Sequence, residues 1–201
     1  MLSTEAMPEE SSTALLMLFQ RAQAQFTDRV DAVAPGEWDA TALPDWSVAD
    51  LVAHLVSEQL WVPPLLAGEQ PGAVAGRIPT DTEELLAGDP LGAWEAAADA
   101  ALTSWADPDA LSRTVHLSGG ATPAVGYLVE MTADLTVHAW DLARATGGVT
   151  ELDPELVAAA FRYAEEHLGD DGVPGVIAAA VEAPPGSDLQ TRLLARFGRR
   201  A

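Results

Sequence analysis

The feature that most limits what this sequence can fold into is the spacing of its apolar residues. They recur every three or four positions through four long segments, each interrupted by proline or glycine. That period lays apolar side chains along one stripe of an α-helix, and strand-like alternation is scarce. The first segment covers about residues 12–33, with Leu15, Leu16, Phe19 and Phe26 at helical intervals before APGEW breaks it. The second, SVADLVAHLVSEQLWV, opens at Ser47, where Ser47 and Asp50 have the S-x-x-D spacing of a capping box. It is predicted to stop before Pro63 and Pro64, which supply no donors to the helical ladder. The third, PLGAWEAAADAALTSWA, has Pro90 near its first position and Trp94, Ala98, Ala101 and Trp105 on one side. The fourth is read with Thr122 as N-cap and Pro123 as first helical residue, and ends at Thr146 before Gly147 and Gly148.

A fifth helix is expected from Asp153 and Pro154 to about Leu168, and a short one after Ser187. Residues 65–90 form a long Gly/Pro-rich connection with a helical turn around 81–86, and LSRTVHLSGG alternates enough for a short extended piece closed by Gly119 and Gly120. The expectation is an all-α protein: a four-helix bundle in a single domain over 1–201, with a core at about 12–168 and a C-terminal extension at about 169–201.

Charge and composition narrow the function. Thirty-one acidic against ten basic residues give a net charge of −21, which disfavours nucleic acid and anionic membranes as partners. With no cysteine, disulfides, thiolate ligands, iron–sulfur clusters and cysteine nucleophiles are excluded, so any sulfur chemistry must arrive with a ligand. The opening MLSTEAMPEESSTALL has no basic n-region, and no run of about 18 apolar residues occurs. A cytoplasmic protein is the default, and a homodimer stays among the expected assemblies.

Candidate chemistry centres on His54, Asp134 and His138. Asp134 and His138 are four apart and share one face of the fourth helix, at the edge of a stripe made by Leu128, Met131, Leu135 and Leu142. A carboxylate there is costly to desolvate without a positive partner, and a divalent cation is such a partner. His54 lies at the border of the second helix's stripe of Leu51, Val52, Leu55 and Val62. Two ligands from one helix plus a histidine from another leave room for water or substrate, as in catalytic zinc sites. Spacing alone leaves a second reading open, in which Asp134 and His138 are a helical i,i+4 pair and His54 is hydrogen-bonded at the core edge.

Other residues attach to this picture. Glu58, four after His54, and His116 in the extended piece are the candidate general bases, Glu58 being also a candidate partner for the imidazole or a further ligand, and His116 a candidate substrate contact or fourth ligand. Asp141 is placed to buttress His138 or to pair with Arg144, the latter favoured for Arg144. His167 suits a helix C-terminus. The tryptophans at 38, 46, 61, 94, 105 and 140 are read as packing residues, with Trp61 also a candidate wall of the metal pocket.

The runs DWSVADLVAHLVSEQLW and DLTVHAWDLARATG together resemble the paired motifs of the DinB-like superfamily, in its actinobacterial branch related to the mycothiol-dependent maleylpyruvate isomerase N-terminal domain. The similarity extends from about the first helix to the closing LLARFGR. It implies a four-helix bundle and a divalent metal held by the histidine of D-L-V-x-H-L and by an acid and a histidine four apart on the late helix, which here are His54, Asp134 and His138. The isomerases have glutamate where Asp134 stands, so the shorter carboxylate is expected to reach the ion directly or through water. They also carry a further C-terminal domain that contributes to thiol and substrate binding, whereas this sequence runs to Ala201. The resemblance therefore implies a metal-dependent enzyme of the thiol-dependent transferase or isomerase type rather than maleylpyruvate isomerisation itself. Zinc is the favoured ion, with nickel, iron or manganese also suited to such ligands, and an external low-molecular-weight thiol or other small molecule is the expected partner. A metal-dependent hydrolase and a non-catalytic metal-stapled module are the alternatives.

Overall fold

A computed structural model describes residues 9–173 and 176–201. The first eight residues, where the expectation of no leader begins, and Pro174 and Gly175 of the tail lie outside the described residues. The long helices are α1 (Glu9–Asp31), α2 (Val48–Leu66), α5 (Pro90–Trp105) and α6 (Ala124–Ala145), with α3 (Pro71–Val74) and α4 (Thr82–Leu86) in the long connection. Helices α7 (Pro154–His167) and α8 (Leu189–Arg196) follow. Helix α1 packs on α5 and α6, and α2 packs on the same two from the other side, so the four surround one core. Helix α7 lies against α6 and α1, and α8 lies against α7.

Aromatic side chains knit this core. Phe26 meets Trp94 edge-on at 4.7 Å and Phe19 meets Trp105 at 6.3 Å, joining α1 to α5, while Tyr127 of α6 lies 5.8 Å from Trp105. Trp94, Trp105, Phe19 and Phe26 are fully buried, each contributing about 1.5–3 kcal/mol on the usual scale for large apolar side chains. One polar knot sits among them. The Gln23 amide donates to Gln59 Oε1 at 2.9 Å and to the Ala98 carbonyl at 3.0 Å, tying α1, α2 and α5 in one register.

Helix α2 begins as its capping box predicts: Asp50 N–H donates to Ser47 Oγ at 3.1 Å and Ser47 N–H donates to Asp50 Oδ2 at 2.9 Å. Its end corrects the expectation that it would stop before Pro63, since both prolines lie inside the helix, which continues to Leu66. Proline's fixed φ is helical, so the helix continues at the cost of two missing donors and of crowding against the carbonyls one turn back. The turn is held from the other side: Pro63 and Pro64 carbonyls accept from Ala67 and Glu69, and Leu65 and Leu66 are buried.

Two antiparallel hairpins complete the description. Strands β3 (Thr114–Leu117) and β4 (Gly120–Pro123) match the extended piece expected near Gly119 and Gly120. They also correct the start of α6. Thr122 pairs with Val115 in the ladder, Pro123 takes the N-cap position without a side-chain cap, and the first helical residue is Ala124. The short hairpin of β1 (Thr41–Leu43) and β2 (Trp46–Ser47) has no counterpart in the periodicity, and turns through Asp45 at φ 65°. No helix among the described residues is long and apolar enough to cross a membrane.

Candidate metal centre

Helices α2 and α6 cross where His54 faces Asp134 and His138. The capping box fixes where α2 starts and so sets the rotation that turns His54 inward, while the four-residue spacing on α6 stacks Asp134 and His138 on one face. His54 Nε2 lies 3.7 Å from Asp134 Oδ2, and His138 Nε2 lies 3.3 Å from Asp134 Oδ1. The two imidazole rings meet edge-on with centroids 5.5 Å apart. One nitrogen or oxygen from each of the three residues lies within 4.8 Å of the others, and among the described residues these three make up the whole cluster. Two imidazole nitrogens and a carboxylate at such spacing suit a divalent ion such as zinc and leave coordination positions for water or a ligand.

The three converge on the wall of a cavity of about 800 Å³, lined by Trp46, Leu55, Glu58, Tyr127, Met131 and Phe197 among others. Burial opposes ionisation of Asp134, but the neighbouring His138 and then His54 outweigh it and hold the carboxyl far below the usual range. Burial likewise opposes the charged form of His138, yet Asp134 and then Asp141 push its pKa up to about 9. In the metal-free protein a proton on His138 thus balances the charge that a cation would balance.

A second layer surrounds the cluster. His138 Nδ1 lies 2.9 Å from Oδ2 of buried Asp141, which leaves Nε2 directed at Asp134. Arg199, from beyond α8, donates to both oxygens of Asp141. Trp46 lies 5.0 Å from the His54 ring, presented by the β1–β2 hairpin. Glu58 lines the cavity, and its pKa is raised by burial and then by the charge of Asp134; Glu130, also lining it, is raised for the same two reasons. Tyr127 and Tyr163 add phenols to the wall, both raised first by burial.

Several expectations need correction. His116 sits on β3 opposite Ala121 and is not among the residues lining the cavity, so of the two candidate bases only Glu58 is at hand. Arg144 does not pair with Asp141; its guanidinium lies over the Trp140 ring at 5.3 Å, because Asp141 points inward to His138. The tryptophan on the cavity wall is Trp46 rather than Trp61. His167 stays at the end of α7, its Nδ1 3.0 Å from the Tyr163 carbonyl. Glu130, on the cavity wall, precedes Asp134 by four, the spacing that puts both on one helix face. Arg199 lies 58 positions from Asp141, and no local pattern announces it.

Residues 19–143 match the family described as the mycothiol maleylpyruvate isomerase N-terminal domain. An uncharacterized protein of Mycobacterium tuberculosis, in strain H37Rv and again in strain CDC 1551, is 33% identical over 158 residues, 77% of this chain and 79% of that protein. The crystal structure of the mycothiol-dependent maleylpyruvate isomerase superposes with a TM-score of 0.61 at 18% identity, covering 76% of this chain and 67% of that one. A histidine-to-alanine mutant of the isomerase gives 0.59 at 17% identity, with the same coverage. At such identity these two establish the DinB-like helical fold, while the sequence match carries the kinship: the chain belongs to the mycothiol maleylpyruvate isomerase N-terminal domain family.

Proposed function

We propose that this chain binds one divalent metal ion, zinc in preference to nickel, iron or manganese, through His54, Asp134 and His138, and acts as a metal-dependent enzyme of the thiol-dependent transferase or isomerase type. The observation that carries the reading is the approach of three ligand atoms to within 4.8 Å of one another beside a cavity large enough for a small molecule. A divalent ion bound there supplies Lewis acidity and lowers the pKa of a coordinated thiol or water. The chain has no cysteine, so the thiol is external. Mycothiol is the first candidate, since the isomerase of similar fold is named for it.

The protein's own groups divide the remaining work. Asp141 holds the His138 ring by Nδ1, leaving Nε2 free for coordination. Glu58, with its pKa raised by burial and by Asp134, is suited to take a proton from the incoming thiol and return it to the substrate. Leu55, Met131 and Phe197 give the cavity an apolar wall for a small-molecule ligand. Asp134 ligates directly or through water. A metal-dependent hydrolase uses the same parts with water in place of the thiol, and the half-buried carboxylate of Glu58 on the cavity wall favours keeping it as the second reading. The cavity counts against a purely structural staple, which needs no open space beside its ion.

Elemental analysis of protein purified without chelator tests the proposal, with one zinc-class ion per chain expected for the wild type and loss of it in His54→Ala, Asp134→Ala and His138→Ala. Cobalt substitution tests the thiol step: mycothiol added to cobalt-loaded protein is expected to produce a sulfur-to-cobalt charge-transfer band. Metal occupancy unchanged in His54→Ala overturns the ligand set, and the absence of the band overturns the thiol.

A further inference from the structure

Asp141 is 2% exposed, and both its oxygens are engaged. Arg199 Nη2 donates to Oδ2 at 2.8 Å and Arg199 Nε donates to Oδ1 at 3.2 Å, while His138 Nδ1 stands 2.9 Å from Oδ2. A forked guanidinium on a carboxylate fixes the plane of the acid as well as its charge. A carboxylate held only by one imidazole keeps its freedom to turn about its last bond.

The arginine is itself immobilised. Its backbone N–H donates to the Leu194 carbonyl at 2.8 Å, and Nη1 donates to the Phe197 carbonyl at 2.7 Å. Gly198, just before it, adopts φ +79° and lies so close to the 178–179 backbone that a Cβ there would stand 2.7 Å from Ala178 Cβ. The tail therefore delivers the guanidinium to one place, from beyond the 19–143 span of the family match.

We infer that Arg199 is a positioning residue of the metal centre: by clamping Asp141 it holds the His138 ring with Nε2 turned toward Asp134 and His54. The inference rests on the metal-binding reading above. It makes metal affinity depend on a residue that lines the same cavity yet bonds none of the three ligands, its side-chain hydrogen bonds running to Asp141 and the Phe197 carbonyl.

The test is zinc affinity of the full chain, measured by competition with a chromophoric chelator, for the wild type, Arg199→Met, Arg199→Lys and Arg196→Met, with Asp141→Asn alone and combined with Arg199→Met. Arg199→Met is expected to bind zinc about tenfold more weakly, the scale typical of groups that orient a ligand. Arg199→Lys, which restores the charge but not the fork, recovers part of the loss and keeps the test open should the methionine variant fail to fold. Arg196→Met removes the tail's contacts with Asp170, Glu165 and the Leu168 carbonyl but leaves the partners of Asp141 in place, and affinity is unchanged. In the Asp141→Asn background, Arg199→Met has no further effect. Wild-type affinity in Arg199→Met, an equal loss in Arg196→Met, or an undiminished loss in the Asp141→Asn background overturns the inference while leaving the metal reading standing. A wild type that takes up no zinc overturns the metal reading, and this inference with it.

Discussion

His138 Nδ1 lies 2.9 Å from Asp141 Oδ2, one turn along α6, while Nε2 of the same ring lies 3.3 Å from Asp134. One imidazole is thus gripped on one side and offered on the other. Asp141→Asn keeps the shape but gives up the charge that holds Nδ1–H, and zinc affinity is expected to fall about 10–100-fold. Loss of the charged acceptor for Arg199 is expected to cost about 1–3 kcal/mol in the metal-free protein. Chelator competition and urea unfolding measure the two separately; an Asn variant that binds zinc like the wild type contradicts the role given to Asp141.

The metal-free and metal-loaded proteins should respond oppositely to pH. The His138 pKa is raised to about 9 from the ordinary imidazole value of 6.5, so its stabilisation is fully present below 6.5 and is lost as pH rises toward 9. Asp134 is lowered, so its contribution is present above 3.8 and lost only in strong acid. The Tm of chelator-treated protein is therefore expected to fall between pH 6.5 and 9, whereas zinc, which requires the neutral ring, stabilises increasingly over the same interval. Parallel Tm profiles with and without zinc are the result that rejects this.

Gly198 packs the end of the tail against its own 178–179 stretch with φ +79° and no space for a side chain. Gly198→Ala is expected to destabilise the protein by about 1–3 kcal/mol, the strain of a non-glycine residue in the left-handed region plus displaced backbone. Residues of the 176–200 segment should become more susceptible to limited proteolysis. Unchanged cleavage would mean that the tail is held by other contacts.

Pro63 removes the donor that would reach the Gln59 carbonyl inside α2, and Pro64 the one that would reach Leu60. Pro63→Ala restores the first of these and is expected to stabilise the fold by about 1–3 kcal/mol, read as a higher urea midpoint with unchanged slope. Destabilisation would show that the proline shape itself is needed there.

This proline pair also marks where local rules stop being sufficient. The capping box at Ser47, the Asp153–Pro154 start and the Gly147 stop are local devices satisfied by residues within one turn, so sequence spacing was enough to find them. The end of α2 is decided instead by burial of Leu65 and Leu66 in a core assembled from distant segments. The start of α6 is likewise decided by pairing of Thr122 with Val115. At the candidate site the pair Asp134 and His138 was legible because one helix supplies both, and His54 because its motif resembled a family pattern. Arg199 and the placement of Trp46 depend on how the tail and a two-residue strand dock, which no periodicity encodes.

Glu58 separates a proton carrier from a metal ligand. Its pKa is raised by burial and by Asp134, so ionising it costs more in the folded protein than in the unfolded chain. A carboxyl raised on folding adds stability at acid pH, where it is protonated, and withdraws it as pH climbs through the raised value. Glu58→Gln is neutral at every pH, so the metal-free variant is expected to gain on the wild type as pH rises from 4 to 8 while bound zinc stays at one per chain. If Glu58 were a ligand, the same substitution would strip the metal. If it is the general base proposed above, the variant keeps its zinc and its thiol-to-cobalt band, but turnover, once a substrate is in hand, falls by about 10²–10⁴-fold, the usual worth of a positioned base.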